Sequence, residues 1–182
     1  MGIIVVTGIP GVGKTTVMEK AAEGINIKFV TFGTVMIDIA KELGLVQNRD
    51  EMRKLTLQQQ KELQIKTAER VSKMKNVIVD THCTIKTPKG YMPGLPEWVI
   101  KKLKPNTIIL VEAKPEEIFN RRVNDNTRNR DTDSIDKIKE HQYMNRSIAM
   151  AYSAITGATV KIINNNDNAI DEAIKEAKPV LE

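Results

Sequence analysis

Five short apolar runs punctuate the chain: Ile3-Ile4-Val5-Val6, Ile27-Lys28-Phe29-Val30, Val77-Ile78-Val79, Thr107-Ile108-Ile109-Leu110-Val111 and Val160-Lys161-Ile162-Ile163. Runs this short and this rich in β-branched residues suit strands covered on both faces, where neither side of the pleat meets water. Each is followed by a turn or capping signal and then by residues at helical spacing. Strands alternating with helices predict a mostly parallel α/β sheet with right-handed crossovers, within one domain over residues 1–182.

The helical stretches carry start and stop signals of their own. Thr16-Val17-Met18-Glu19-Lys20-Ala21-Ala22 contains no breaker and reads as a helix. Pro115-Glu116-Glu117 puts a proline at a first helical position and two acids in the first turn, opening Ile118 to about Val123. Asp133 or Ser134 can cap Ile135 to Ile155, and Asp167 or Asn166 can start a last helix, Ala169 to Ala177, expected to stop before Pro179. Between the second and third strands the helical pattern is unusually long. Thr34 to Leu43 is stopped by Gly44, and Arg49 to about Met74 then runs on without glycine or proline. This crossover exceeds what closing a sheet needs, so part of it, about 32–73, is expected to stand off as a helical subdomain; a long packed helix pair is the alternative.

Composition narrows the setting. A chain of 182 residues with 41% hydrophobic and 28% charged residues belongs to a globular protein with a core of its own. No apolar run reaches membrane length and the N-terminus already reads as a strand, so neither a membrane span nor a signal peptide is expected. The lone Cys83 cannot form an internal disulfide, and the cytoplasm is the expected compartment. A net charge of +5 suits an acidic partner. Aromatics at 4% leave little from which to build stacking platforms, which favours small phosphates over nucleic acid.

The chemistry starts directly after the first strand. Gly8-Ile9-Pro10-Gly11-Val12-Gly13-Lys14-Thr15 fits G-x-x-x-x-G-K-[ST] at every defined position, in the required order of strand, loop and helix. Such a loop brings successive backbone N–H groups against a polyphosphate at a helix N-terminus, where the helix dipole favours negative charge. Lys14 adds a charge for the β- and γ-phosphates, Thr15 is a hard oxygen ligand for Mg²⁺, and Thr16 continues the loop into the helix.

Other residues gain meaning beside that loop. Val77-Ile78-Val79-Asp80 ends a strand on a carboxylate, placing Asp80 near Mg²⁺ directly or through water; capping of the next turn is the alternative. His82 follows as a contact residue. Lys89-Gly90-Tyr91-Met92-Pro93-Gly94-Leu95-Pro96, with two glycines and two prolines, predicts a stiff loop walling the site or leading into the helix of Trp98. Asn120 to Asp131 packs Arg121, Arg122, Arg128 and Arg130 among asparagines, a polar run whose guanidiniums can swing onto a nucleotide. Arg49 and Arg53 stand one helical turn apart on the long crossover, facing a second substrate or pairing with Asp50 or Glu51.

No guanine-recognition motif is present, and no Glu follows Asp80 to polarise a water. A phosphate loop, a covering helical segment and an Arg-rich lid are the equipment of a small-molecule kinase, which must exclude water from the transferring phosphoryl group. The chain resembles archaeal-type adenylate kinases over nearly its whole length. The resemblance is carried by Gly8 to Thr15, Phe32-Gly33-Thr34-Val35-Met36, Arg49-Asp50-Glu51-Met52-Arg53-Lys54-Leu55, Asp80-Thr81-His82, Gly90 to Pro96 and the lid from Arg121 to Asp131.

That resemblance implies reversible transfer from Mg·ATP to AMP giving two ADP, and a three-layer P-loop kinase fold. The sheet would have five parallel strands in the order 2-3-1-4-5 with helices on both faces, beside a helical covering segment and a short lid at about 124–133. It implies a homotrimer. It assigns Arg122 and Arg128 to a phosphate clamp with Arg130 or Arg146 adding to it, Arg53 to the acceptor phosphate, and Thr34 and His82 to nucleotide contacts. The arginine that better-known bacterial and eukaryotic relatives carry soon after the Asp80 position is missing, which shifts its task to Arg53, Arg49 or Lys86. A kinase for another nucleoside monophosphate or a small alcohol, and a P-loop ATPase acting in RNP assembly, are the rival readings.

Overall fold

The computed structural model describes residues 2–125 and 133–182. All five expected strands form: β1 (Ile3–Thr7), β2 (Lys28–Thr31), β3 (Val77–Asp80), β6 (Thr107–Glu112) and β7 (Thr159–Asn164). They build one parallel sheet in the order β2-β3-β1-β6-β7. Two further strands, β4 (Thr84–Thr87) and β5 (Gly90–Pro93), form a separate antiparallel hairpin. Numbered within the sheet alone, the order is the expected 2-3-1-4-5.

Register explains why the middle strands end together. Val6 lies opposite Asp80 on β3 and Thr7 opposite Leu110 on β6, so β1 delivers its loop between the carboxyl ends of both neighbours. Helices α1 (Lys14–Ala21), α5 (Pro115–Val123) and α7 (Ile170–Leu181) accompany the sheet along with α4 (Glu97–Leu103) and α6 (Ile135–Thr156). Two apolar clusters result. One gathers Val5, Val79, Leu110, Val99 and Tyr152, the other Ile4, Val6, Ile109, Val17 and Ile118. Alternate residues of β1 thus enter opposite layers, as a pleat with period two requires.

Within the long crossover the first helix stops at Gly44 as expected, but the stretch from Arg49 to about Met74 is broken rather than one helix. α2 (Phe32–Glu42) ends in Gly44 with φ 68°, where Gly44 N–H bonds Lys41 O and Leu45 N–H bonds Ala40 O, a left-handed cap closing two orphan carbonyls. Asn48 then caps a short 3₁₀ helix, Arg49–Lys54, and the chain extends at Leu55 before α3 (Leu57–Ser72). The break comes from Thr56 and Gln59, which form a reciprocal capping box and fix a new helix start. Ile39, Ala40, Val46 and Leu63 make a small core of their own, while Ala68 and Val71 of α3 join the main one. α3 also meets α4, where Trp98 donates to Gln64 at 3.0 Å and lies under the Lys61 ammonium.

Three more expectations are corrected. The segment read as a stiff loop at Lys89–Pro96 supplies β5, pairing Thr84 with Pro93 and Thr87 with Gly90 across a two-residue connection. Proline is tolerated there because the hairpin edge leaves its missing N–H undemanded. At the C-terminus, α7 passes through Pro179 to reach Leu181, which is fully buried with Ala173 and Ala177 on one stripe. One lost backbone bond in the last turn is outweighed by seating that leucine. Neither Asn166 nor Asp167 caps α7: their side chains accept from the Lys114 N–H and from Arg121 instead. Ser134, by contrast, caps α6 as expected.

Candidate functional site

The glycine loop leaves β1 and enters α1 as the pattern requires. Gly13 takes φ 77° at the helix N-cap and Gly11 φ 94°, both left-handed. Gly8 needs its lack of side chain for room: a Cβ there would stand 2.5 Å from the carbonyl of Val111 on β6. With the first helical residue at Lys14, the N–H groups of the opening turn have no acceptor within the helix. Residues Gly8 through Thr16, with Asp80 and His82, line a cavity of about 390 Å³ around them.

Three consecutive loop carbonyls are each held by a side chain. Arg122 Nε donates to Pro10 O at 2.8 Å, Arg121 to Gly11 O at 3.5 Å, and Asn165 Nδ2 to Val12 O at 2.8 Å. With these carbonyls turned to the scaffold, the loop is preorganised for an anion rather than collapsing on it. Arg121 is itself fixed by Asp167 at 2.9 Å and Asn165 O at 2.9 Å, so it serves the loop's shape. The asparagine was not singled out from sequence as a site residue. It sits at the end of β7, the neighbourhood in which strand ends meet ligands, which was the available signal.

Lys14 and Asp80 form a part-buried ion pair through Asp80 Oδ1, and Lys14 also donates to Thr81 O at 3.2 Å. The carboxylate therefore reaches the phosphate loop, as its strand-end position implies. Thr15 is exposed on the rim of the same cavity. His82, exposed at the rim, borders it too; partial desolvation by the surrounding protein, then the nearby Lys14 charge, hold its pKa below the ordinary histidine value against the pull of Asp80.

A second cavity, about 500 Å³, shares Pro10 and His82 with the first. It lies between the β4–β5 hairpin and the stems of α5 and α6, and among the described residues its charged lining is Lys86, Arg122 and Asp133. Arg122 is almost wholly buried, at 4% side-chain exposure, and bonds Asp133 at 3.2 Å; Lys86 bonds the other oxygen of that carboxylate. Burial would raise the Asp133 pKa, but Lys86 and Arg122 outweigh it and hold it below the usual carboxylate range.

A third cavity, about 280 Å³, lies within the crossover between Gly33, Met36 and Ile37 of α2 and Arg49 and Arg53 of the 3₁₀ helix. The two arginines do border one space, as their spacing implied. Arg53 pairs with Asp50 at 2.9 Å and is 77% exposed, and its cavity shares no residue with the other two. Thr34 is exposed in the first turn of α2 beside Gly33. Arg128 and Arg130, and with them most of the expected lid, lie outside the described residues.

A phosphate loop at the centre of a parallel sheet, facing a strand-end carboxylate and adjoining a cation-lined cavity, defines a P-loop kinase fold. A family model described as an AAA domain matches residues 7–139. The chain is 51% identical to the adenylate kinase of Methanothermobacter thermautotrophicus, covering all of both chains. It is 52% identical to that of Methanocaldococcus jannaschii (98% and 97% covered) and 54% to that of Methanopyrus kandleri (96% and 94%). The chain belongs to the adenylate kinase family, and is thereby a nucleoside monophosphate kinase. Shikimate kinases from Bacteroides thetaiotaomicron (TM-score 0.59, 18% identity, 99% and 98% covered) and Acinetobacter baumannii (0.62, 17%, 100% and 93%) share the fold alone.

Proposed function

We propose that the protein moves the γ-phosphoryl group of Mg·ATP onto the phosphate of AMP, reversibly, yielding two ADP. In the forward direction the bond from Pγ to the β,γ-bridging oxygen breaks and one from Pγ to an AMP phosphate oxygen forms. The acceptor oxygen is already anionic at neutral pH, so no general base is needed. The observation that carries this reading is the adjacency of the phosphate-loop cavity and the cavity of Lys86 and Arg122, which share Pro10 and His82 in their linings.

In this reading Gly8 to Thr16 cradle the ATP phosphates and Lys14 bridges to the γ-phosphoryl. Thr15 and Asp80 offer hard oxygens on one cavity rim, and only one Asp80 oxygen is engaged by Lys14, a donor set that fits Mg²⁺. When bound, that ion neutralises charge on the phosphates. Arg122 and Arg128, joined by Arg130, surround the transferring group, while Arg53, Thr34 and His82 contact nucleotide. Residues 32–73 act as the acceptor-covering segment and about 124–133 as the lid. Among the described residues no helix is long and apolar enough to cross a membrane. The single buried thiol supports a cytoplasmic setting, and family resemblance a homotrimer.

A coupled assay for ADP from ATP and AMP, with and without EDTA, tests the reaction. Competition among AMP, CMP, UMP and GMP tests the acceptor, and light scattering tests for three 20.4 kDa chains.

A further inference from the structure

The β4–β5 hairpin borders the cavity beside the phosphate loop, and α6 fastens that hairpin through one stripe of side chains. His141, Asn145 and Tyr152 recur at helical spacing and are all buried. Thr84 of β4 donates its hydroxyl to Asn145 at 2.5 Å and lies 3.0 Å from His141 Nε2. Arg146 of the same helix takes no part: both oxygens of Glu112 hold it, and it borders neither the phosphate-loop cavity nor its neighbour.

Tyr152 closes the neck of the hairpin. Its O–H donates to Cys83 O at 3.0 Å, where the chain enters β4, and its oxygen accepts from Leu95 N–H at 3.0 Å, where the chain has left β5. Gly94 N–H reaches the same Cys83 carbonyl at 2.8 Å, and a Cβ on Gly94 would stand 2.0 Å from His82 O, so the two sides of the neck meet backbone to backbone. Cys83 N–H in turn donates to Thr7 Oγ1 at 2.7 Å. Thr7 is the residue before Gly8, so a single phenol links the wall of the second cavity to the root of the phosphate loop. Thr7, Cys83, Leu95 and Tyr152 are all buried, and a partner lost among them is not replaced by bulk water.

We propose that Tyr152 is a positioning residue for phosphoryl transfer: its hydroxyl fixes the hairpin, and with it the acceptor side of the site, at a set distance from the phosphate loop. Transfer needs donor and acceptor in line, and a displacement of about 1 Å caused far from the chemistry can cost about 100-fold in rate. Phenylalanine fills the same space but leaves Leu95 N–H without its acceptor and Cys83 O with Gly94 alone. This inference rests on the nucleoside monophosphate kinase reading.

Tyr152→Phe is compared with the parent protein and with Val99→Ala, which thins the same apolar cluster without removing these hydrogen bonds. Steady-state kinetics with each nucleotide varied in turn, calorimetric binding of ATP and thermal melts are measured on all three. Tyr152→Phe should lower kcat/KM for AMP roughly 10- to 100-fold, with ATP affinity within about twofold. Val99→Ala should melt earlier yet keep kcat/KM for AMP within about twofold of the parent. Unchanged kcat/KM in Tyr152→Phe, or equal losses in the two variants, overturns the proposal, because either result leaves the phenol a merely structural part. A parent that forms no ADP from AMP overturns the reaction reading instead. Amide hydrogen exchange then decides whether the phenol fixes the hairpin: exchange in Tyr152→Phe should quicken over residues 84–95 above the rest of the chain, and a uniform change contradicts it.

Discussion

Asn165 at the end of β7 donates its side-chain N–H to the carbonyl of Val12 over 2.8 Å, joining the last strand to the glycine loop across 153 positions of sequence. A Cβ on Gly13 would stand 2.5 Å from its amide nitrogen, so a side chain there would push the asparagine away from the loop. Asn165→Ala leaves a loop carbonyl without its donor, at a cost of about 1–3 kcal/mol. The expected result is a rise of roughly 5- to 20-fold in the KM for ATP with little change in that for AMP. Steady-state kinetics with each nucleotide varied in turn check this; a selective change in the KM for AMP contradicts it.

Lys14→Ala should lower kcat by about two orders of magnitude or more, because it removes a preorganised charge aimed at the transferring group. The same loss is expected for Arg128→Ala, on the strength of its spacing from Arg122. Near-normal turnover of either variant, measured with both nucleotides saturating, refutes its assignment. Arg122→Ala is the less clean probe. Its guanidinium also holds Pro10 and Asp133, so stability and turnover fall together.

How legible the molecule was depended on the range of the interactions involved. The sheet could be read because β-branched runs such as Val77-Ile78-Val79 have few alternatives to a doubly covered strand. The phosphate loop could be read because its geometry is encoded within eight residues. The break at Leu55 had a local signal in Thr56 and Gln59, which the helical content around it masked. The hairpin was missed because two prolines and two glycines read as a loop, although β4 and β5 pair over only four positions each. Asn165, the anchoring of Thr84 by Asn145 and the sharing of Asp133 by Lys86 and Arg122 are contacts across 153, 61 and 47 or 11 positions, invisible to spacing rules. Asn166 and Asp167 were correctly placed at a turn but serve the wrong helix for a cap, since Arg121 and the Lys114 N–H claim them.

Cys83 should be inert in the folded protein. It is 1% exposed, and burial pushes its thiol up to about 12, offset only in part by Thr7. Alkylation needs the thiolate, whose fraction at pH 8 is then about one in ten thousand. Iodoacetamide at pH 8 should leave the native protein unlabelled and label it fully in denaturant. Rapid labelling of the native state would show that the β3–β4 junction opens readily.

His141 should make the protein less stable as solution turns mildly acidic. Burial holds its pKa below the ordinary value; its hydrogen bond with Thr84 and the Asp133 charge oppose this, while Arg122 and Lys86 add to it. The ring also packs against Tyr91, 5.1 Å between centroids. With the folded pKa depressed, the unfolded chain binds more protons between that value and about 6.5, so stability rises with pH across the interval. The contribution is therefore complete above about pH 6.5 and is lost as pH falls toward the folded pKa. His82 shifts in the same direction, so a variant is needed to separate the two. His141→Gln removes this titration while keeping a partner for Thr84. Urea unfolding between pH 8 and 5 should show a shallower loss of stability for the variant than for the parent. Parallel curves would mean that His141 is protonated as readily in the fold as in the open chain.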